Sequence, residues 1–563
     1  MTLISVRIGQ FEYMSRSSNA KHLLKPHLLL TAAILVLLAG CGGDSKSTPT
    51  GPPSSSVPAD IQAVMEKPMY SRATWGLRVV EPANDKVLID LNSHVHFFIG
   101  SVRKIFSVGE LLNQVGPSHT YNTPAYHDGS INRSGVLNGN LFLVASGDLT
   151  MGGRTNPDGS IAISNFDHNE ADSLGNAVLT APNPLAGYAA LAHQVAASGI
   201  TEIAGDIVID DRLFQPFNFR GEFNITPIFV NDDVVDLTID PTTAGNLASV
   251  ASRPISAALG VQNTLLTGVA GSDFTLKLNP EFPQCIGQPG CTAEITGNLP
   301  LDFVPPFTNR FPLVQTFRIV RPSNYARTVF IEALQAADVT VDAPVVASNP
   351  VNLLPTSRSY PATNKVAELT GLPYSDDARL ILKVSYNIGA DTSLLLFGLT
   401  QGVNNMSAAL SAEQAVLASQ YQIPASEYVF FDGSGGSATT AINPAVIQLL
   451  TAMMSKPGFS AFFSGLPLLG VDGSLALVTD FESDPTLKGA AAQVHAKTGT
   501  FVAGSESGLI LKGQALGGYV DAASGRRLVF ELVVNNVALT NLNDLLQVFQ
   551  DEGTISAILW RDN

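Results

Sequence analysis

The sequence predicts an α+β fold in which one mixed domain, built from the two ends of the chain, is interrupted by a β-rich insertion. Three observations carry this. A hairpin pattern followed by a helix opens the folded part, and helices followed by strands of an antiparallel sheet close it. Between them, from roughly 124 to 350, short apolar strands sit among many Asn, Asp, Gly and Pro turns with little helix. The 563 residues exceed one ordinary core, and about two to four domains are expected from that length. The boundaries are read as a leader over 1–41, a tether over 42–58, the first part of the mixed domain over 59–123, the insertion over 124–351 and the second part over 352–563.

The elements follow in order. Residues 75–91 alternate and break at Pro82 to Asp85, which is a hairpin pattern. Residues 101–115 place Ile105, Val108, Leu111, Leu112 and Val115 at helical spacing, and Gly116-Pro117 stops them. In the insertion, 141–145 and 205–210 read as strands and 185–198 as the one amphipathic helix. Helices are predicted over 365–369, 378–384, 391–397, 408–419 and 444–454. Strands are predicted over 493–497, 507–511, 514–520 and 528–534, with a tight turn at Ala523-Ser524-Gly525 and a final helix over 542–559.

The beginning of the chain reads as an address. Lys21 and Lys25 precede a short apolar run from Leu28 to Leu38, too short for a comfortable bilayer span. The ending Leu38-Ala39-Gly40-Cys41 resembles a bacterial lipobox, whose cysteine is lipidated and becomes the new N-terminus. Gly42 after it, rather than Asp, resembles outer-membrane sorting. The stretch from Gly42 to Pro58 is rich in Gly, Ser and Pro, a tether without a core. The net charge of −16 argues against nucleic acid or an anionic membrane surface as partner, so membrane contact is expected through the N-terminal lipid only. Cys41, Cys285 and Cys291 are the three cysteines; the last two flank a Gly/Pro-rich turn and form a disulfide if the compartment oxidises, with free thiols as the alternative. A lone pair of cysteines is not a zinc site, and His94 and His96 lack a third ligand, so no metal is expected.

Three short motifs carry chemistry: Ser101-Val102-Arg103-Lys104, Ser385-Tyr386-Asn387 and Lys497-Thr498-Gly499-Thr500. A serine hydroxyl is a weak nucleophile and needs an adjacent base. On a helix, positions i and i+3 share a face, so Lys104 reaches Ser101. Burial and a second cation such as Lys497 keep a lysine neutral, the form that accepts a proton. Ser385 and Asn387, two apart between helices, suit proton relay and a grip on a substrate amide. Lys497, Thr498 and Thr500 put a cation and two hydroxyls where a carboxylate docks, and Gly499 leaves room for the substrate backbone. Each motif alone is weak, since Ser18-Asn19-Ala20-Lys21 and Ser130-Ile131-Asn132 also fit; their order and context make the signal.

Penicillin-binding proteins and class A β-lactamases carry this ordered set. From about Val57 to the end the chain resembles the D-alanyl-D-alanine carboxypeptidase/endopeptidase family of low-molecular-mass class C penicillin-binding proteins. The resemblance extends to Leu141–Asp148, Gly205–Asp211, Asn231-Asp232-Asp233 and Asp432-Gly433-Ser434-Gly435. It implies a β-lactamase/transpeptidase-like catalytic domain with β-rich domains inserted between the first and second motifs. It implies Ser101 as acylated nucleophile, Lys104 as base, Ser385 and Asn387 in relay and positioning, Lys497 and Thr498 for the terminal carboxylate, and an oxyanion hole from the backbone N–H groups of Ser101 and Thr500. Peptidoglycan stem peptides are the implied substrates and β-lactams the implied inhibitors, with no cofactor. Relatives usually carry Ala where this chain has Gly100, and often Asp where it has Tyr386. The acidic residue with which some relatives grip a diaminopimelate side chain has no clear match; Glu222 is the nearest candidate. The remaining readings are a β-lactamase or esterase on the same constellation, and a catalytically silent cell-wall binding lipoprotein. The reading of the whole is an exported, periplasmic, lipid-anchored enzyme.

Overall fold

A computed structural model describes residues 57–505 and 508–563. The leader, Cys41 and the tether up to Ser56 lie outside the described residues. The two ends of the chain build one antiparallel sheet. Its strands run Lys86–Leu91, Thr74–Glu81, Arg527–Asn535, Gly508–Asp521 and Val494–Ser505 in spatial order, and Val537–Leu539 adds to the start of Gly508–Asp521. Alternation along Arg527–Asn535 shows how both faces are covered. Leu528, Phe530, Leu532 and Val534 point to one core, with Ala59–Met65 and the C-terminal helix Leu542–Asp562 against it. Val529 and Val533 point to the other, which holds the helix Lys104–Val115 and the helix Asn443–Met453. A strand apolar on both faces reads as a continuous run, as Leu528–Val534 does. Asn541 caps the C-terminal helix, accepting from Asn543 N while Asp544 reaches back to the Asn541 amide.

One strand pair closes off the region between the first and second motifs. Thr120–His127 runs antiparallel to Lys365–Pro373, and Leu141–Val144 and Ile207–Asp210 extend this sheet. The pairing reaches from Thr120 opposite Pro373 to Tyr126 opposite Lys365. Residues 365–369, predicted as a helix, therefore lie in a strand. Five residues cannot fix a helix against a partner strand that supplies a full ladder of hydrogen bonds. The strand predicted over 507–511 and the one over 514–520 are a single element, Gly508–Asp521, and Ser507 lies outside the described residues. The apparent break at Lys512-Gly513 is a β-bulge: the register shifts there opposite Phe501 and Val502.

The region between the first and second motifs also contains a helix the sequence reading passed over, Pro322–Ala336, packed against Ala186–Ala197. Pro322 at its first position and the spacing of Tyr325, Val329, Phe330 and Leu334 were the available signal. Two three-stranded sheets complete the region: Ser249–Arg253, Val234–Asp240 and Leu313–Arg318, then Gly260–Gly268, Thr292–Pro300 and Thr275–Asn279. Cys285 and Cys291 are joined in a disulfide, with Cα atoms 5.3 Å apart. It closes a short loop, so opening it should cost about 2 kcal/mol by the loop-entropy relation. A Cys285→Ser/Cys291→Ser variant is expected to unfold at lower urea while its hydrolytic rate stays that of the parent. Among the described residues no helix is long and apolar enough to cross a membrane.

Candidate active site

Ser101 sits on a single helical turn, Gly100–Arg103, that runs into the helix Lys104–Val115. Gly100 has φ +46°, and a β-carbon there would stand 2.6 Å from the Thr500 nitrogen. The turn thus presses directly on the edge strand Val494–Ser505, an approach and a backbone conformation that favour glycine. That close approach also puts the Thr500 amide beside the nucleophile turn.

The three motifs converge on this turn. Lys104 Nζ donates to Ser101 Oγ at 2.7 Å, to Asn387 Oδ1 at 2.6 Å and to the Ser434 carbonyl at 2.9 Å. Lys497 Nζ donates to Ser385 Oγ at 2.9 Å and to the Thr498 carbonyl at 2.9 Å. Ser385 ends the helix Tyr374–Val384 in left-handed conformation, and Asn387 starts the helix Asn387–Thr400. The junction between two helices is what brings both side chains to the lysines. The two ammonium groups are fully buried, whereas Ser101, Ser385, Asn387 and Thr500 keep part of their surface. The cations therefore line the floor and the hydroxyls the mouth.

Electrostatics suit a base. Burial, reinforced by Arg103 and opposed by the carboxylates of Glu170, Asp391 and Asp432, brings Lys104 down from 10.5 to about 8. Burial first, and then the Lys104 ammonium, push Lys497 well below its ordinary value. Glu170 comes from the region between the first and second motifs; nothing in its sequence neighbourhood singled it out. The Thr498 hydroxyl meets Ser474 Oγ at 2.7 Å, and the Thr500 hydroxyl donates to Gln514 Oε1 at 2.7 Å. The second of these means that the Thr500 proton is committed to the neighbouring strand in the free site.

Asp432-Gly433-Ser434-Gly435 is the turn that presents the Ser434 carbonyl to Lys104. Asp432 accepts from the amides of Ser434, Gly435 and Ser437. Gly435 has φ +78°, and a β-carbon on it would come within 2.1 Å of the Gly100 carbonyl. Arg103 holds the turn from below, donating to the Asp432 carbonyl at 2.9 Å and to Glu413 Oε2 at 2.6 Å, with its guanidinium over the Phe430 ring.

The other candidates fall elsewhere. His94 and His96 are exposed, His96 on the Ser426 carbonyl. Asp167, His168 and Asp232 gather as three possible metal ligands, a grouping the sequence did not suggest. Arg154 already neutralises them, donating to both Asp167 oxygens at 2.8 Å and to Asp232 Oδ2 at 2.7 Å. Burial alone would lower His168, but Asp236, Asp232 and Asp167 hold it up to about 10. The Arg154 guanidinium lies among these three side chains and ties them into one buried ion network. Glu222 is taken by Arg318 at 2.6 Å and Arg220 at 2.7 Å.

A serine hydroxyl bonded to a buried lysine amine, on a helix that abuts the edge strand of an antiparallel sheet, defines an active-site-serine hydrolase of the α+β, β-lactamase-like class. The model of the D-Ala-D-Ala carboxypeptidase 3 (S13) family matches residues 57–552, and the chain belongs to that family as a serine-type carboxypeptidase. Membership in a penicillin-binding, cell-wall family makes it an exported protein. A D-alanyl-D-alanine carboxypeptidase from an Actinomadura species is 26% identical over 508 residues, covering 84% of this chain and 80% of that one. The crystal structure of penicillin-binding protein 4 from Haemophilus influenzae has the same fold, with TM-score 0.66 at 15% identity over 89% of this chain and 99% of that one. The same Haemophilus protein in complex with a novel β-lactam superposes with TM-score 0.63 at 17% identity over the same shares.

Proposed function

We propose that Ser101 is the nucleophile with which this carboxypeptidase removes the terminal D-Ala of peptidoglycan stem peptides, and that D-Ala cross-links enter the same site. The observation that carries the assignment is the 2.7 Å bond between Ser101 Oγ and a buried Lys104 Nζ that Asn387 also holds. Lys104 takes the Ser101 proton as Oγ attacks the carbonyl between the two D-Ala residues. The Ser101 and Thr500 amides receive the oxyanion. Ser385, on Lys497, delivers a proton to the leaving amine as the C–N bond breaks. The proton held by Lys104 replaces the one Ser385 gave up, so Lys104 is neutral again when water attacks the ester; it takes the water proton and returns it to Ser101 Oγ as the acyl–oxygen bond breaks. Lys497, Thr498 and Thr500 receive the substrate carboxylate, and Gly499 admits its backbone.

In this reading the catalytic body consists of the two ends of the chain and the region between the crossing strands is an inserted body. The lipobox-like Leu38–Cys41 and the following tether support a signal peptide and a lipid anchor on Cys41, a periplasmic location and attachment to an outer membrane. The likeness to a β-lactam complex supports β-lactams as acylating inhibitors.

Labelling with a fluorescent penicillin, followed by intact mass, tests the assignment. A lasting adduct on the parent and none on Ser101→Ala is the expected result. Rapid turnover of the β-lactam without an adduct would favour a β-lactamase, and no reaction in either protein would leave a silent binding lipoprotein.

A further inference from the structure

The strap Leu466–Leu475 carries none of the three motifs, yet it links the helix that ends at Ser385, the strand of Lys497 and the segment around Asn165. Lys383, two residues before Ser385, donates to both Asp472 oxygens at 2.6 and 2.7 Å and to the Leu466 carbonyl at 2.6 Å. Gly473 has φ +60°, and a β-carbon on it would meet the Lys383 carbonyl at 2.6 Å. The Gly473 amide donates to Asn165 Oδ1 of the insertion at 2.8 Å. Ser474, held between these anchors, puts its Oγ 2.7 Å from Thr498 Oγ1.

A threonine hydroxyl has one proton and can turn it in several directions. If Ser474 donates to Thr498 Oγ1, the Thr498 proton is left free and directed away from Ser474. A hydroxyl fixed in that way is a ready donor to an anion, because its orientation is set before the ligand arrives. Resting on the carboxypeptidase reading above, we infer that Ser474 is a positioning residue for recognition of the substrate's terminal carboxylate. It acts through Thr498, and the insertion fixes its place through Asn165. The inserted body thereby has a part in reading the end of the peptide.

The test compares an acyl-D-Ala thioester bearing a free terminal carboxylate with the methyl ester of the same compound, on the parent, Ser474→Ala, Ser474→Thr and Asn165→Ala. Loss of one oriented charge-assisted hydrogen bond predicts about a 10-fold fall in kcat/KM for Ser474→Ala on the free acid. That fall is expected mainly in KM, with little change on the ester. Ser474→Thr should restore it, and Asn165→Ala should give a smaller loss of the same kind. Equal losses on acid and ester would mean that Ser474 only supports the fold, and unchanged kinetics on both would likewise overturn the inference while leaving the carboxypeptidase reading intact. A parent protein with no turnover and no penicillin adduct would overturn that reading and this inference with it.

Discussion

Lys104→Met should lower the rate of acylation by penicillin by about 10²- to 10⁴-fold, the range expected when a positioned general base is removed. Methionine keeps most of the stem and removes only the amine, so packing beneath Ser101 is retained. The sign of the pH dependence follows from the direction of the shift. Lys104 is brought down from 10.5 to about 8, and only its neutral form accepts the Ser101 proton. Acylation by the parent should therefore rise as pH is raised through about 8 and level off above it. The variant should lose that limb and keep a flat residual rate. Stopped-flow labelling between pH 6 and pH 10, two units either side of about 8, reads both effects. A limb that persists in Lys104→Met would assign it to another group. Thermal unfolding of the variant should shift little, because relief of a buried cation is offset by the Asn387 and Ser434 oxygens that lose their donor.

Arg103→Ala is expected to be the most destabilising single change near the site. Its guanidinium and the Glu413 carboxylate are both fully buried, 2.6 Å apart. Removing one member of such a pair leaves the other charge without a partner and costs about 3–5 kcal/mol, a large fraction of a typical total of about 5–15 kcal/mol. Burial and the neighbouring Glu413 already hold Glu110 well above the usual carboxylate range. With Arg103 gone, Glu413 loses its cation and lies buried beside Glu110. The turn at Asp432 also loses its anchor, and with it the Ser434 carbonyl that orients Lys104. Urea unfolding should show a clearly lower midpoint. The double variant Arg103→Met/Glu413→Leu should recover most of the stability, since well-packed apolar groups often replace a buried ion pair without loss. A near-parental midpoint for Arg103→Ala would show that water or a neighbouring cation compensates Glu413.

The reach of the sequence can be judged from particular residues. Periodicity gave the hairpin before Ser101, the helix behind it and the strand Leu528–Val534, because each is long and its pattern is local. It failed at Lys365–Leu369, where a five-residue pattern fits either state and the partner strand lies over 200 residues earlier. It failed again at Lys512-Gly513, where a bulge in one strand resembles a turn between two. Of the site, Ser101 with Lys104 was legible because three residues of helix impose their contact. Ser385 with Asn387 and Lys497 with its threonines were legible as motifs through resemblance.

The sequence by itself determined the class of fold and the ordered motif set, since these depend on residue type and on spacing along the chain. Only the tertiary structure decided what surrounds the reacting groups. The Ser434 carbonyl on Lys104, Arg103 beneath the Asp432 turn, Ser474 on Thr498 and Asn165 on Gly473 each join segments distant in sequence. Such contacts leave no periodic trace, because their partners are chosen by how distant segments pack. The lowered affinity of Lys104 for its proton belongs with them, since burial in the assembled cleft is its first cause.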